Sequence, residues 1–385
     1  MDGGTTEVRT SLWRLPALRS LVGTTTLGFA SYCLTLASLP AYAVAGGADP
    51  DTAGVVTAVF LVVTILVQAV VPALTARFGT GPVLAAGLIA LGAPSPLYAL
   101  GDGLVWLSAI SVLRGAGFAV LTVLGAMLAG RVAPAGRQGE AIGLYGLAIA
   151  IPNLVAVPAG AALVLDGHAG WLGWLAASPV LALPLVPGLV RSMRPEAGAR
   201  RSSRAAALAA VAPSAVLLVV TLAGGGLVTF LPIERPDGVL ATSALLLFGL
   251  TGALTRWRAG LLADRVGTRV LMPLALVVAA VGMALLALGL YAGAGWVLAG
   301  AAVFGAGFGA VQNLTLITAF ARAGEGGTTA ASAMWNASFD AGTAVGALAL
   351  GLLAAGIGLP WTFAAVAGAL VLTLPVARAA TARRR

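Results

Sequence analysis

Twelve long apolar runs constrain the fold of this chain more than any other feature. A helix needs about 20 predominantly apolar residues to cross a hydrocarbon core of about 30 Å. Only 9% of the residues are charged, against about 25% in soluble domains, which excludes a water-soluble globular fold. The sequence predicts an all-α membrane protein with spans near residues 20–45, 54–74, 82–101, 104–130, 139–165, 170–190, 207–233, 239–259, 270–292, 295–321, 328–355 and 358–379.

The hinges between these runs differ in charge on the two sides of the predicted membrane. One set carries nearly all the arginines, including Arg137 and Arg269, whereas the opposite loops carry acids such as Asp49 and Asp102. Arginine-rich loops stay in the cytoplasm, so we expect a multi-pass protein of the cell inner (plasma) membrane with both termini cytoplasmic. The net charge of +9 belongs to these hinges, and we expect no nucleic-acid partner.

Two short segments recur in the second half of the chain. Gly260-Leu-Leu-Ala-Asp-Arg-Val-Gly-Thr-Arg has a weaker copy starting at Pro72, in which Arg77 aligns with Arg265 and Gly79 with Gly267. A second match aligns Gly-Ala-Gly-Phe of the fourth run, residues 115–118, with the same letters at 305–308 of the tenth. Internal repeats of this kind are typical of secondary transporters.

A basic stretch divides the twelve runs six and six. We therefore predict two pseudo-symmetric six-helix bundles, 1–190 and 207–385, joined by a cytoplasmic linker at 191–206.

The loop that begins at Gly260, with Arg256 four positions before it, resembles a signature of the major facilitator superfamily between its eighth and ninth helices. The fourth run, with Arg114, is similar to a motif of proton-coupled members, and the eleventh, with Asp340, is similar to bacterial sugar and drug efflux members. The resemblance implies two bundles that rock around a central cavity, with the substrate bound near the bilayer midplane.

Arg114 and Asp340 are the ionisable residues that we place deepest in the spans. Arg114 lies about 15 Å from the external face and Asp340 about 18 Å from the cytoplasmic face at 1.5 Å per residue. Charges at this depth are costly and usually have a partner. The resemblance implies that the fourth and eleventh helices belong to opposite halves and can approach each other across the cavity, so we expect the two residues to meet. Asp340 is our candidate proton-coupling carboxylate and Arg114 its partner. The alternatives are a static ion pair, a helix-packing residue satisfied by backbone groups, or an anionic substrate that binds Arg114 while Asp340 replaces it in the empty site.

Amide and aromatic side chains inside the spans are candidates for contacting a substrate. The amides Gln312, Asn313 and Asn336 either line the cavity or bond neighbouring helices, whereas for Gln68 and Asn153 we favour helix packing. The aromatic residues Trp335, Tyr32 and Phe308 either form a wall for an amphipathic substrate or pack in the core.

A gating role is expected for the repeated loop. The Asp264 carboxylate can accept hydrogen bonds from free amides at the N-terminus of a neighbouring helix, and the resemblance implies that such a clamp holds the cytoplasmic side closed. The alternative is a simple topology signal, which leaves the acid unexplained. Arg256 either reaches the cavity or extends to the cytoplasmic surface. The expected gating set is Gly260, Asp264, Arg265, Gly267, Arg256 and Arg77, although the first-half copy has Ala76 in place of the acid.

These patterns favour a secondary active transporter that exports a small organic molecule, drug-like or a secondary metabolite, in exchange for protons. The rival is uptake or facilitated transport of a sugar, nutrient or organic anion. A receptor or membrane enzyme is disfavoured, because the chain has no phosphate-binding loop, no lysine and no cluster of metal ligands. We expect no cofactor or metal, a monomer, and the lipid bilayer, a small-molecule substrate and H⁺ as partners.

Overall fold

The computed structural model describes residues 11–36, 38–134, 136–193, 203–234 and 238–382. Within these ranges the chain is helical throughout its regular structure and contains no β-strand. Twelve segments of the described chain are long and apolar enough to cross a membrane. The predicted all-α fold with twelve spans is confirmed.

The described part of the first half contains nine α-helices, of which eight form its six spans and α3 lies between the first two. The first span joins α1 and α2, the second to fifth are α4 to α7, and the sixth runs from α8 to α9. The bounds are α1 (Pro16–Leu36), α2 (Ser38–Ala45), α3 (Pro50–Ala53), α4 (Val55–Phe78), α5 (Thr80–Gly92), α6 (Leu104–Val132), α7 (Gln138–Leu165), α8 (Ala169–Leu175) and α9 (Val186–Arg191), with 3-10 helices at Leu12–Arg14, Ser95–Leu100 and Ser178–Leu185.

The helices of the last six spans are interrupted less often. Each of α10 to α14 forms one span, and α15 with α16 forms the twelfth. The bounds are α10 (Ser203–Glu234), α11 (Gly238–Val266), α12 (Thr268–Ala292), α13 (Ala294–Ala323), α14 (Thr328–Ile357), α15 (Leu359–Leu372) and α16 (Leu374–Thr381), with a 3-10 helix at Glu325–Gly327. Most of the predicted linker at 191–206 lies outside the described residues, since 194–202 are not among them.

The sequence repeat is reproduced in the backbone. Gly79 separates α4 from α5 with φ 83° and ψ 160°, and Gly267 separates α11 from α12 with φ 86° and ψ 159°. The amide of each donates to the carbonyl four residues earlier, at 2.9 and 3.0 Å. This left-handed region is strained for residues that carry a β-carbon, so glycine at both aligned positions is explained by the same turn.

Apolar side chains divide between a core and an outer surface. One core cluster contains residues of both halves, for example Leu128 of α6 and Phe320 of α13. Large apolar side chains such as Val105, Leu352 and Leu372 are at least 80% exposed, as expected for helices that face lipid. The two halves therefore share a packed interface inside an apolar outer surface.

Candidate functional site

The two halves meet through a hydrogen bond between Gln68 of α4 and Asp340 of α14. Gln68 Nε2 donates to Asp340 Oδ2 at 2.7 Å and lies 3.3 Å from Thr122 Oγ1 of α6. Gln68 is fully buried and its Oε1 has no partner, whereas Asp340 is partly exposed. The carboxylate of one half is thus held by an amide of the other.

Asp340 ends a polar stripe along one face of α14. Ser332, Asn336 and Asp340 are spaced four residues apart, which places them on the same side of a helix. Ser332 Oγ donates to the carbonyl of Val123 at 2.7 Å, and Asn336 Nδ2 lies 3.3 Å from the carbonyl of Thr122. The stripe therefore binds α14 to α6 of the first half, and Asn336 serves in this interface.

Arg114 does not contact Asp340, contrary to the sequence-based expectation. Its Nε donates to the carbonyl of Leu91 at 3.0 Å, and its Nη1 to the Tyr98 hydroxyl at 3.2 Å. Its Nη2 donates to the carbonyl and hydroxyl oxygens of Ser31, at 3.1 and 2.9 Å. The expectation failed because equal depth in the bilayer does not fix the direction in which a side chain points. Arg114 ties together elements of the first half only.

Arg256 of α11 is the second buried arginine, at 6% exposure. Its Nη1 donates to Gln312 Oε1 at 2.8 Å, and its carbonyl accepts from Asn313 Nδ2 at 2.6 Å. Its Nε and Nη2 are buried without a hydrogen-bond partner. Because the Arg256 side chain is buried, it does not extend to the cytoplasmic surface, which is one of the two positions that the sequence allows. Gln312 thus binds the guanidinium, whereas Asn313 binds the backbone of the same residue.

The three candidate aromatic residues do not form one wall. Tyr32 stacks on Phe118 in the first half, with ring centroids 4.2 Å apart. Phe308 lies 5.0 Å from Phe248 in the second half. The third, Trp335 of α14, donates to Thr315 Oγ1 at 3.0 Å. Among the described residues no ring contact joins any two of the three, because Tyr32, Phe308 and Trp335 pair with Phe118, Phe248 and Phe339 respectively.

Asp264 closes a clamp on the first turn of α7. The amide of Gly139 donates to its Oδ1 at 2.9 Å and the amide of Glu140 to its Oδ2 at 3.0 Å. These amides have no partner within their own helix, and a carboxylate is favoured at the positive end of the helix dipole. The expected contact with a helix N-terminus is present, and it joins the two halves.

The first-half copy of this loop makes no equivalent clamp. Ala76 has no acceptor in its side chain, and the exposed Arg77 lies over the ring of Phe78 at 5.2 Å. Arg265 is exposed as well. The repeat therefore conserves the glycine turn but places the acid in only one copy.

The interface contains residues that the sequence analysis does not single out. Gln68 bonds neighbouring helices, as the sequence favours, and one of these helices belongs to the other half. Thr122 and Ser332 are the additional residues. The four-residue spacing from Ser332 to Asp340 was a signal in the sequence that predicts a shared helix face. No group of metal-ligating side chains occurs among the described residues.

Two helical halves joined by polar contacts deep between their spans define a two-bundle membrane transporter fold. The family model of the Major Facilitator Superfamily matches residues 21–334. The chain belongs to this superfamily, and the protein is accordingly a secondary transporter that sits in the bilayer and binds a small-molecule substrate. Members of the family are transporters, not enzymes.

Solved structures agree with this assignment. The human organic anion transporter MFSD10 (TETRAN) superposes with a TM-score of 0.76 at 16% identity, over 94% of this chain and 99% of that one. The transporter FucP in its outward conformation gives 0.76 at 15%, over 95% and 99%. A variant of the E. coli fucose:proton symporter FucP gives 0.71 at 15%, over 95% and 98%. At these identities the likeness is one of fold. No curated protein sequence matched the chain.

Proposed function

We propose that this protein exports a small organic molecule in exchange for protons, and that Asp340 carries the proton. The observation that supports this most strongly is the bond from Gln68 to Asp340, because it makes the environment of an intramembrane carboxylate depend on the contact between the halves. A partly exposed acid at such a position can exchange a proton when the halves move.

The coupling follows from the strength of that bond. A hydrogen bond to an ionised carboxylate is roughly twice as strong as one between neutral groups, so the ionised acid favours the closed contact between α4 and α14. Separation removes the amide donor and leaves a charge inside the membrane, which is costly. Protonation therefore accompanies separation, and loss of the proton accompanies closure.

The clamp at Asp264 acts on the same closed end of the molecule. Arginines such as Arg137 and Arg265 mark this end, and we propose that it faces the cytoplasm, with both termini, in the plasma membrane. The conformation is then the outward-facing one, in agreement with the fold likeness to FucP in its outward conformation. We propose that the protein acts as a monomer, with H⁺ as the coupling ion and without a cofactor.

The test uses everted membrane vesicles in which respiration generates an inward-acidic gradient. Adding a panel of anionic, neutral and cationic aromatic compounds should dissipate the gradient when one of them is exchanged. We expect Asp340→Asn to abolish this dissipation and to preserve substrate counterflow. Asp102→Asn is the matched control, because Asp102 lies exposed outside the interface. Gradient-driven transport at the wild-type rate in Asp340→Asn would refute the proposed role.

Uptake with protons is the second candidate function. The same carboxylate would serve a symporter, and two of the similar structures are those of a fucose:proton symporter and an organic anion transporter. The two directions are separated by comparing everted with right-side-out vesicles, with the external face of the protein on the acidic side in both. Accumulation in everted vesicles, whose interior is acidic, supports export. Accumulation in right-side-out vesicles, whose exterior is acidic, supports uptake.

A further inference from the structure

One edge of the Arg256 guanidinium is left without partners. Its Nη1 is occupied by Gln312, whereas Nε and Nη2 are both buried and unpaired. These two nitrogens form a single edge of the planar group, and parallel N–H donors along such an edge match the two oxygens of a carboxylate or a similar oxyanion. The unfilled donors are thus arranged for bidentate recognition.

The protein does not supply the missing anion in this conformation. In the part of the chain that the structure describes, no carboxylate forms an ion pair with Arg256, and Asp340 is bonded to Gln68 instead. Arg114 provides an internal comparison, because it is also buried yet gives all three of its nitrogens to oxygens of the protein. A buried cation without a counter-charge is costly, which calls for a ligand in another step of the cycle.

Arg256 lies where the halves meet. A β-carbon on Gly146 of α7 would lie 2.5 Å from Arg256 Nε, so the first half covers the unpaired edge at a glycine. Movement of α7 away from α11 would uncover the guanidinium edge, so the site becomes accessible when the halves separate at this end.

Two aromatic rings lie on α11 and α13, the helices that carry Arg256 and Gln312. Phe248 of α11 precedes Arg256 by eight residues, about 12 Å along the helix. Phe308 of α13 precedes Gln312 by four residues, and the rings of Phe248 and Phe308 are 5.0 Å apart. An apolar ring system therefore lies within the length of one small molecule from the cationic edge.

We propose that Arg256 recognises the anionic group of the transported molecule and that the substrate class is an aromatic organic anion. This inference rests on the proposed function as a transporter and names the substrate of that same interface. Nε and Nη2 bind the carboxylate, Gln312 orients the guanidinium through Nη1, and the Phe248 and Phe308 rings receive the aromatic part.

The test measures the unfolding temperature of the purified protein in detergent with 2-naphthoate or with its neutral counterpart, 2-naphthamide. A ligand stabilises the folded state in proportion to its affinity and concentration, so we expect naphthoate to raise the unfolding temperature more than naphthamide. In Arg256→Gln the apparent affinity for naphthoate should fall about 10- to 100-fold. Arg258→Gln is the matched control, because Arg258 is exposed two residues further along α11 and lies over the Trp257 ring.

Arg256→Lys keeps the proposal testable if the glutamine variant fails to fold. Lysine keeps the charge but lacks the planar edge, so naphthoate binding should weaken while naphthamide binding is unchanged. Equal stabilisation of the wild type by the two compounds, or wild-type affinity for naphthoate in both Arg256 variants, would overturn the inference. The assay contains no gradient, so a failure of proton exchange in the Asp340 experiment would leave it unaffected, and the reverse also holds.

Discussion

Gly139 and Gly260 lie backbone against backbone across the two halves. A β-carbon on either glycine would overlap the carbonyl oxygen of the other. This close approach brings the first turn of α7 within hydrogen-bonding distance of Asp264, whose carboxylate accepts the amides of Gly139 and Glu140. The glycine pair and the acid therefore act together, since the clamp forms only where the two helices can touch.

Replacing Gly260 with alanine should prevent this end of the molecule from closing. Overpacking of this kind costs about 1–3 kcal/mol, which shifts the conformational equilibrium about 5- to 150-fold towards separation. Spin labels at Gln138→Cys and Arg265→Cys should report a longer distance between α7 and α11. The native cysteine, Cys33, is buried, so we expect the label to attach only to the two introduced cysteines.

The control for this substitution is Gly295→Ala in α13, where an added β-carbon meets no atom within 4 Å. It should leave the label distance and the transport rate at their original values. An unchanged distance in Gly260→Ala would show that the halves do not need the contact to close.

Asp264→Asn should slow turnover more than it weakens substrate binding. Asparagine keeps one acceptor oxygen but loses the charge and the second acceptor, at a cost of about 1–2 kcal/mol for a partly buried site at a helix N-terminus. The closed end is then less favoured and the return to it becomes slower. Turnover in proteoliposomes and equilibrium binding in detergent measure the two effects separately. Equal losses in turnover and affinity would instead place Asp264 at the substrate.

The fold was predictable because two features that determine it, the length of the apolar runs and the repeated glycine turn, can be identified from the sequence alone. Run length fixes the number of spans through the thickness of the bilayer, and the glycine turns at Gly79 and Gly267 have the same backbone geometry because the repeat preserves the residue that this geometry requires. Neither inference needs knowledge of how one helix is rotated against another.

The site was only partly predictable for the opposite reason. Depth along a helix follows from counting residues, so Arg114 and Asp340 were correctly expected inside the spans. Their partners depend on the rotation of each helix, which depth does not determine, and Arg114 faces Tyr98 and Ser31 while Asp340 faces Gln68. The sequence predicted that Asp264 would accept hydrogen bonds from amides at a helix N-terminus, where a carboxylate is favoured. It did not identify α7 as the helix that supplies them.

The two buried arginines should differ in what they contribute to stability. Arg114→Gln removes the charged donor that serves the carbonyl of Leu91 and the oxygens of Tyr98 and Ser31. A hydrogen bond to a charged group is worth about 1.5–3 kcal/mol. Arg256→Gln removes one occupied donor and an unpaired charge. We expect a clearly lower unfolding temperature for Arg114→Gln and a smaller change for Arg256→Gln, both measured without ligand. A stable Arg114→Gln protein that loses only proton-driven transport would restore Arg114 to the coupling step.

Gln68→Leu tests the link between the proton and the movement of the halves. Leucine keeps most of the volume but removes the amide that donates to Asp340 at 2.7 Å. A hydrogen bond to a charged group is worth about 1.5–3 kcal/mol, so the closed contact between α4 and α14 should weaken at least about tenfold. We expect gradient-driven accumulation to fall while counterflow continues, because exchange of substrate for substrate needs no net proton transfer. Asn153→Leu is the control, since the Asn153 amide is exposed and donates to the carbonyl of Ile149 within its own helix. If Gln68→Leu accumulates substrate as the wild type does, the carboxylate is coupled to the movement through some other contact of α14.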